Sequence, residues 1–198
     1  MSEQISKFSA MMSRMKYIDR WALMRNSRKE NISEHSMEVA MLAHLLAVIG
    51  NTRFGKQLDV QRAALIGLYH DCTEIITGDM PTPVKYYSEE MRDTFKNIED
   101  VAANQLLELL PQDIRAAYEP LFFPPAEDAY LCRLVKAADK LSALIKCYEE
   151  ETMQNAEFTY ARKATEAALD QMKLEELDVF REEFMPAYRM TLDELRER

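Results

Sequence analysis

An all-α fold is predicted from three features of this 198-residue chain. Only four glycines occur, hydrophobic positions recur at i, i+3, i+4 through most of the length, and runs with strand character are too short and too few to build a sheet. The same periodicity sets the order of the elements. A first helix carries Ile5, Phe8, Met11, Met12 and Met15 on one face, and a polar, partly basic connection follows from Ile18 to about Glu30. A second helix starts at Asn31, where Asn31 as N-cap with Glu34 three residues later makes a capping box. It continues through Val39, Leu42, Leu46 and Ile49 and is expected to stop at Gly50-Asn51. A third is expected over 60–76 and is broken sharply by Thr77-Gly78-Asp79-Met80-Pro81-Thr82-Pro83. Further helices fit 89–110, 112–118, 126–152, 157–174 and 177–187, punctuated by Pro111, Pro120 and Pro124-Pro125, with a last short one over 191–196.

Composition narrows what such a bundle does. A formal net charge of −9 leaves no basic stripe of the kind that grips polymeric nucleic acid. A small phosphorylated ligand stays open, because a metal and two or three local cations can invert the field of an acidic protein inside one pocket. No apolar run long enough to cross a bilayer is seen, and the first residues show no secretory signal, so no membrane role and a cytoplasmic location are expected. Three cysteines at wide spacing fit a reducing compartment, with Cys132 and Cys147 among core neighbours.

The chemistry is concentrated in a short set of residues. His70-Asp71 puts two metal-ligating side-chain types side by side, and Glu74 follows one turn later. With three histidines in the chain, the other members of a site can be sought almost exhaustively. His35 lies at the start of the second helix, and Asp139 sits inside Leu134-Val135-Lys136-Ala137-Ala138-Asp139-Lys140-Leu141, a stretch otherwise built for burial. A carboxylate buried there costs several kcal/mol unless paired or coordinated; an Arg salt bridge would satisfy it as well as a metal. On a continuous helix Glu74 falls between His70 and Asp71 around the axis, within reach of a water on the same ion. His44 shares a face with Met37, Met41 and Val48 rather than with His35, which leaves imidazole for a single metal only. Manganese, iron, cobalt and zinc all fit such ligands.

Those residues, in that order and on helices, resemble the HD-domain superfamily of metal-dependent phosphohydrolases. The runs Arg20-Trp21-Ala22-Leu23-Met24-Arg25-Asn26, Glu30-Asn31-Ile32-Ser33-Glu34-His35-Ser36, His70-Asp71-Cys72-Thr73-Glu74 and Thr77-Gly78-Asp79-Met80-Pro81-Thr82-Pro83-Val84-Lys85-Tyr86 are similar to those of the bacterial 5'-deoxynucleotidases of the YfbR kind, over nearly the whole chain. The resemblance implies one HD domain over 1–198, with a metal-site core at about 31–152 and C-terminal helices at about 157–198 packed on it. It implies hydrolysis of deoxyribonucleoside 5'-monophosphates by a metal-activated water, in a cytoplasmic homodimer. His35, His70, Asp71 and Asp139 become the metal ligands, and Asp71 also borders the substrate. Arg20 holds the 5'-phosphate, Trp21 orients it and packs on the sugar, and Asp79, Met80, Pro81 and Thr82 line the pocket. Glu74 and Asp79 divide the proton transfers. The alternatives are a deoxynucleoside triphosphate triphosphohydrolase, a guanosine tetraphosphate hydrolase, or a non-catalytic nucleotide-binding module.

Overall fold

The computed structural model describes residues 5–85 and 87–197; Tyr86, quoted in the last motif, lies outside the described residues. Among them the chain forms ten α-helices joined by 3₁₀ turns, with one isolated β-bridge between Asp19 and Asn31 and no strand. The helices are α1 (Phe8–Met12), α2 (Ile32–Phe54), α3 (Val60–Tyr69), α4 (Glu74–Thr77), α5 (Thr82–Lys85), α6 (Glu89–Glu108), α7 (Gln112–Phe122), α8 (Ala129–Thr152), α9 (Thr159–Met172) and α10 (Glu175–Glu183). This is the all-α HD-type bundle that the periodicity and the resemblance lead one to expect.

The core forms where α2, α3 and α8 meet. Val39, Leu42, Leu46 and Ile49 of α2 pack with Ala63 and Ile66 of α3 and with Leu134, Leu141 and Leu144 of α8, all buried, and Leu177 and Phe180 of α10 close one side. Small residues bring α2 and α3 into close approach. A Cβ on Gly67 would lie 3.0 Å from the Cα of Ala40, so any larger residue there would press the two helix backbones apart. A smaller apolar cluster of Met15, Ile32, Cys72 and Leu106 lies apart from this core. Cys147 is buried as expected, whereas Cys132 is only partly so.

Helix boundaries differ from the sequence expectation in ways that have local causes. The capping box is present: the Asn31 side chain accepts from the amides of Ser33 and Glu34 at 3.0 and 3.1 Å, and Glu34 accepts from the Asn31 amide. At its other end α2 does not stop at Gly50-Asn51 but runs to Phe54, capped by Gly55 in the left-handed region at φ 66°. Gly50 serves packing instead, since a Cβ there would lie 2.7 Å from Glu176 Oε1. The resulting 23-residue α2 is, by length and composition alone, apolar enough to cross a bilayer, which corrects the expectation that no such run exists; half of the qualifying window is buried inside the protein.

The expected helix over 60–76 is interrupted. It ends at Tyr69, residues 70–73 form a turn, and α4 resumes at Glu74. The carbonyl of Gly67, which a continuing α-helix offers to the amide of residue 71, accepts from His70 Nδ1 at 2.7 Å. The amide of Cys72 reaches back only three residues, to Tyr69 O at 3.2 Å, so the ladder tightens as it passes the candidate ligands. The N-terminal segment also departs from a single helix. Ile5 is 83% exposed rather than on the apolar face, and a 3₁₀ turn over Ser13–Tyr17 follows α1. α7 extends past the expected 118 to Phe122, with Pro120 tolerated in its last turn, while the expected C-terminal helix is only a 3₁₀ turn at Glu194–Arg196.

Candidate metal centre and phosphate site

Four of the expected ligands converge from three segments. His35 comes from the first turns of α2, His70 and Asp71 from the turn after α3, and Asp139 from the middle of α8. One ligand atom each from His35, His70 and Asp71 lies within 4.8 Å of the others. His35 Nε2 is 3.4 Å from Asp71 Oδ2 and 3.3 Å from Asp139 Oδ1, and His70 Nε2 is 3.1 Å from Asp71 Oδ2. Both Nε2 atoms are buried without a hydrogen-bond partner. Such orphaned atoms are costly in a protein interior. Imidazole nitrogens and carboxylate oxygens gathered this closely are what a divalent transition ion satisfies.

Asp139 is not as buried as its apolar flanks suggest. A third of its side chain is exposed, 33%, and it borders a cavity of about 280 Å³ shared with Tyr69, His70, Thr73, Phe122 and Lys136. Its ion-pair partner among the described residues is His35 rather than an Arg or Lys. His44 is exposed on α2 and takes no part in the site.

Arg20 stands beside the ligands. Its side chain is 11% exposed, with Nη1 3.3 Å from Asp71 Oδ2 and Nε 3.3 Å from Glu30 Oε2. Burial opposes its charge, but Asp71, Glu30, Asp139 and Asp79 together raise its pKa. The guanidinium is therefore fixed as a cation, and among the described residues its carboxylate contacts use Nε and Nη1. Trp21 follows with φ 57°, a strained conformation for a bulky residue. Its indole Nε1 donates to the same Glu30 oxygen at 2.9 Å, and its ring packs on Phe158 at 5.3 Å between centroids. Trp21 is thus partly the packing anchor that large aromatics usually are.

Two positioning features were not legible in the sequence. Glu30 joins Arg20 to Trp21 through one carboxylate oxygen, yet reads there as one more charge in a basic connection. The buried Lys146–Glu150 pair of α8 clamps the 21–30 loop that precedes α2. Glu150 accepts from the amide and hydroxyl of Ser27 at 2.9 and 2.7 Å and from Asn155, while Lys146 donates to the carbonyl of Arg28. Burial works against ionisation, but Lys146, Ser27 and Asn155 pull the Glu150 carboxyl down to about 2. The remaining cations of the connection form surface pairs: Arg25 with Glu157, Arg28 with Glu34, and Lys29 with Asp19.

The two acidic groups beside the candidate ligands are held differently from the candidate ligand carboxylates. Burial disfavours a charged Asp71, but His70 and His35 hold it well below the usual range. Glu74 is 6% exposed; burial first, then the charges of Asp71 and Asp79, push its carboxyl up to about 9, and Oε2 is buried without a partner. Burial also raises Asp79, against the pull of Arg20 and of the Trp21 backbone. The break after Tyr69 removes the continuous-helix geometry on which Glu74 was expected to fall between His70 and Asp71, but the α4 N-terminus still returns it to their field. Cys72 points into the separate apolar cluster. Met80 and Pro81 are half-buried and Thr82 exposed, placed by chain continuity after Asp79.

Known proteins share both the sequence and the fold. Residues 7–188 match the family described as 5'-deoxynucleotidase YfbR-like. A 5'-deoxynucleotidase of Erwinia tasmaniensis is 46% identical over 190 residues, and the 5'-deoxynucleotidase YfbR of Escherichia coli is 44% identical, each alignment covering 96% of both chains. Among solved structures, an HD-domain phosphohydrolase of Listeria innocua superposes with a TM-score of 0.79 at 20% identity, over 92% of this chain and 88% of that one. An HD phosphohydrolase of cyanophage S-2L, bound to dA and one catalytic zinc ion, superposes with a TM-score of 0.62 at 21% identity, over 95% and 99%. The chain belongs to the 5'-deoxynucleotidase YfbR-like family.

Proposed function

We propose that this protein is a metal-dependent 5'-deoxynucleotidase, releasing phosphate and a deoxynucleoside from deoxyribonucleoside 5'-monophosphates. The observation that carries the reading is the pair of buried, unpartnered Nε2 atoms of His35 and His70 facing Asp71 and Asp139, with the Arg20 guanidinium 3.3 Å from Asp71. His35, His70, Asp71 and Asp139 would hold the ion, which when bound supplies Lewis acidity and a water of lowered pKa. Zinc, cobalt, manganese and iron all remain candidates for it.

The chain's own residues supply the rest. Arg20, kept charged by four neighbouring carboxylates, presents its guanidinium to the phosphate oxygens and opposes the charge they redistribute in the transition state. Glu74, protonated near neutral pH in the metal-free protein, holds a proton beside the ligand set. Asp79, whose pKa burial raises, carries the other proton, toward the leaving 5'-oxygen. Trp21 is the wall against which deoxyribose packs, and Met80, Pro81 and Thr82 follow Asp79 along the pocket. An apolar wall alone discriminates against a hydroxyl by only about 100-fold, so stronger selectivity requires a clash with Trp21 or Asp79. The chain acts as one domain, in the cytoplasm, as a homodimer; sedimentation measures the last point.

Phosphate release from a panel of 5'-mono- and triphosphates, deoxy and ribo, with chelator and with each metal restored, tests the activity. Free phosphate from deoxymonophosphates, abolished by chelator and restored by metal, is expected. Release of triphosphate or pyrophosphate, or binding without turnover, would assign the site to another nucleotide hydrolase or to a binding module.

A further inference from the structure

From Nδ1 of His35 runs a chain of hydrogen bonds that the proposed reaction leaves unused. His35 is fully buried, and its Nδ1 lies 2.9 Å from Ser142 Oγ across the α2–α8 interface. Ser142 is fully buried as well, and its hydroxyl donates to Oε2 of the half-buried Glu38 at 2.5 Å. Glu38 sits one turn beyond His35 on α2, so helix α2 both starts and finishes the chain.

A serine hydroxyl has one proton to give. With that proton committed to Glu38, Ser142 can only accept from His35, so in the neutral ring Nδ1 carries the imidazole proton. The lone pair is left on Nε2, the atom that faces Asp71 and Asp139 at 3.4 and 3.3 Å. His70 reaches the same state by a different route, donating Nδ1–H to the backbone carbonyl of Gly67 at 2.7 Å. The two imidazoles are therefore oriented by unlike devices. A backbone carbonyl cannot be removed by substitution, whereas Ser142 and Glu38 can.

We infer that Ser142 and Glu38 are positioning residues that hold His35 in its Nδ1–H tautomer and thereby set the affinity of the site for its divalent ion. The inference rests on reading His35 as a ligand. Outer partners of ligating histidines govern metal affinity because a ring free to turn, or protonated on the wrong nitrogen, must be reorganised before it can bind.

The test is zinc binding by the full-length, chelator-stripped protein, in competition with a chromophoric chelator, alongside thermal unfolding of each metal-free variant. Ser142→Ala and Glu38→Met each weaken zinc binding by about 10- to 100-fold, while Glu38→Gln, which keeps an acceptor oxygen for the Ser142 hydroxyl, stays within about threefold of the parent. Glu38 is only half-buried, so Glu38→Met carries the test if Ser142→Ala fails to fold. A purely structural role predicts lower metal-free stability with unchanged zinc affinity. Affinity of both variants within about twofold of the parent, or equal losses in Glu38→Gln and Glu38→Met, overturns the assignment. Absence of zinc binding by the parent itself overturns the reading of the metal centre, and the relay with it.

Discussion

Replacing Glu74 by Gln should stabilise the metal-free protein, and by an amount that grows with pH. The carboxyl of Glu74 is pushed up to about 9 from an ordinary 4.5 by burial and by Asp71 and Asp79. Between those two values the folded state binds a proton that the unfolded chain has released, so the unfolded state gains relative to the folded one as pH rises. The slope is about 1.4 kcal/mol per pH unit, and the cost reaches about 3 kcal/mol at pH 7. Below 4.5 both states are protonated and the cost vanishes; above 9 it grows no further. Gln is close to an isostere of the protonated acid and does not titrate. Urea unfolding in chelator should therefore show Glu74→Gln ahead of the parent by about 1 kcal/mol at pH 5 and about 5 kcal/mol at pH 8, the latter a midpoint shift of roughly 2 M. Saturating divalent ion should narrow the gap, because its charge lowers the cost of ionising Glu74. A stability difference that is the same at pH 5 and pH 8 would refute the reasoning. The same variant should retain metal and lose about 10²- to 10⁴-fold in kcat, as expected for a group that moves a proton.

Other contacts give further expectations. Glu30→Ala removes the acceptor shared by Arg20 and Trp21; kcat/KM should fall by about 10- to 100-fold, less for Glu30→Gln, with circular dichroism unchanged. Glu150→Ala leaves Lys146 buried without its carboxylate and frees the Ser27 backbone, so unfolding free energy should drop by about 3–5 kcal/mol. Gly50→Ala places a Cβ 2.7 Å from Glu176 Oε1, an oxygen held by Lys56 and Tyr130. A loss of about 1–3 kcal/mol in urea unfolding is expected.

Local patterns told most about α2. Its capping box needs only residues 31–34, and its apolar spacing identifies the buried face without reference to any partner. Gly50 was misread because a glycine at a helix end and one under a crossing side chain look alike in sequence; what distinguishes them here is Glu176, far along the chain. The break after Tyr69 was invisible for a related reason. Leu68, Tyr69 and Ile75 continue a helical rhythm, and nothing in their spacing shows that His70 turns back to the Gly67 carbonyl. Asp139 lies in an apolar stretch that reads as buried, yet a third of its side chain is exposed, because it borders the cavity beside His70.

The sequence alone determined the helical class, the identity of the ligand-type residues and their order, because periodicity, caps and a three-histidine inventory are properties of the linear chain. The tertiary structure decided which carboxylate serves which neighbour. Ser142 lies 107 residues from His35, and Glu150 lies 123 residues from Ser27. Pairings over such separations arise from the packing of α8 against α2 and the 21–30 loop, which fixes the direction in which each buried polar group finds its partner.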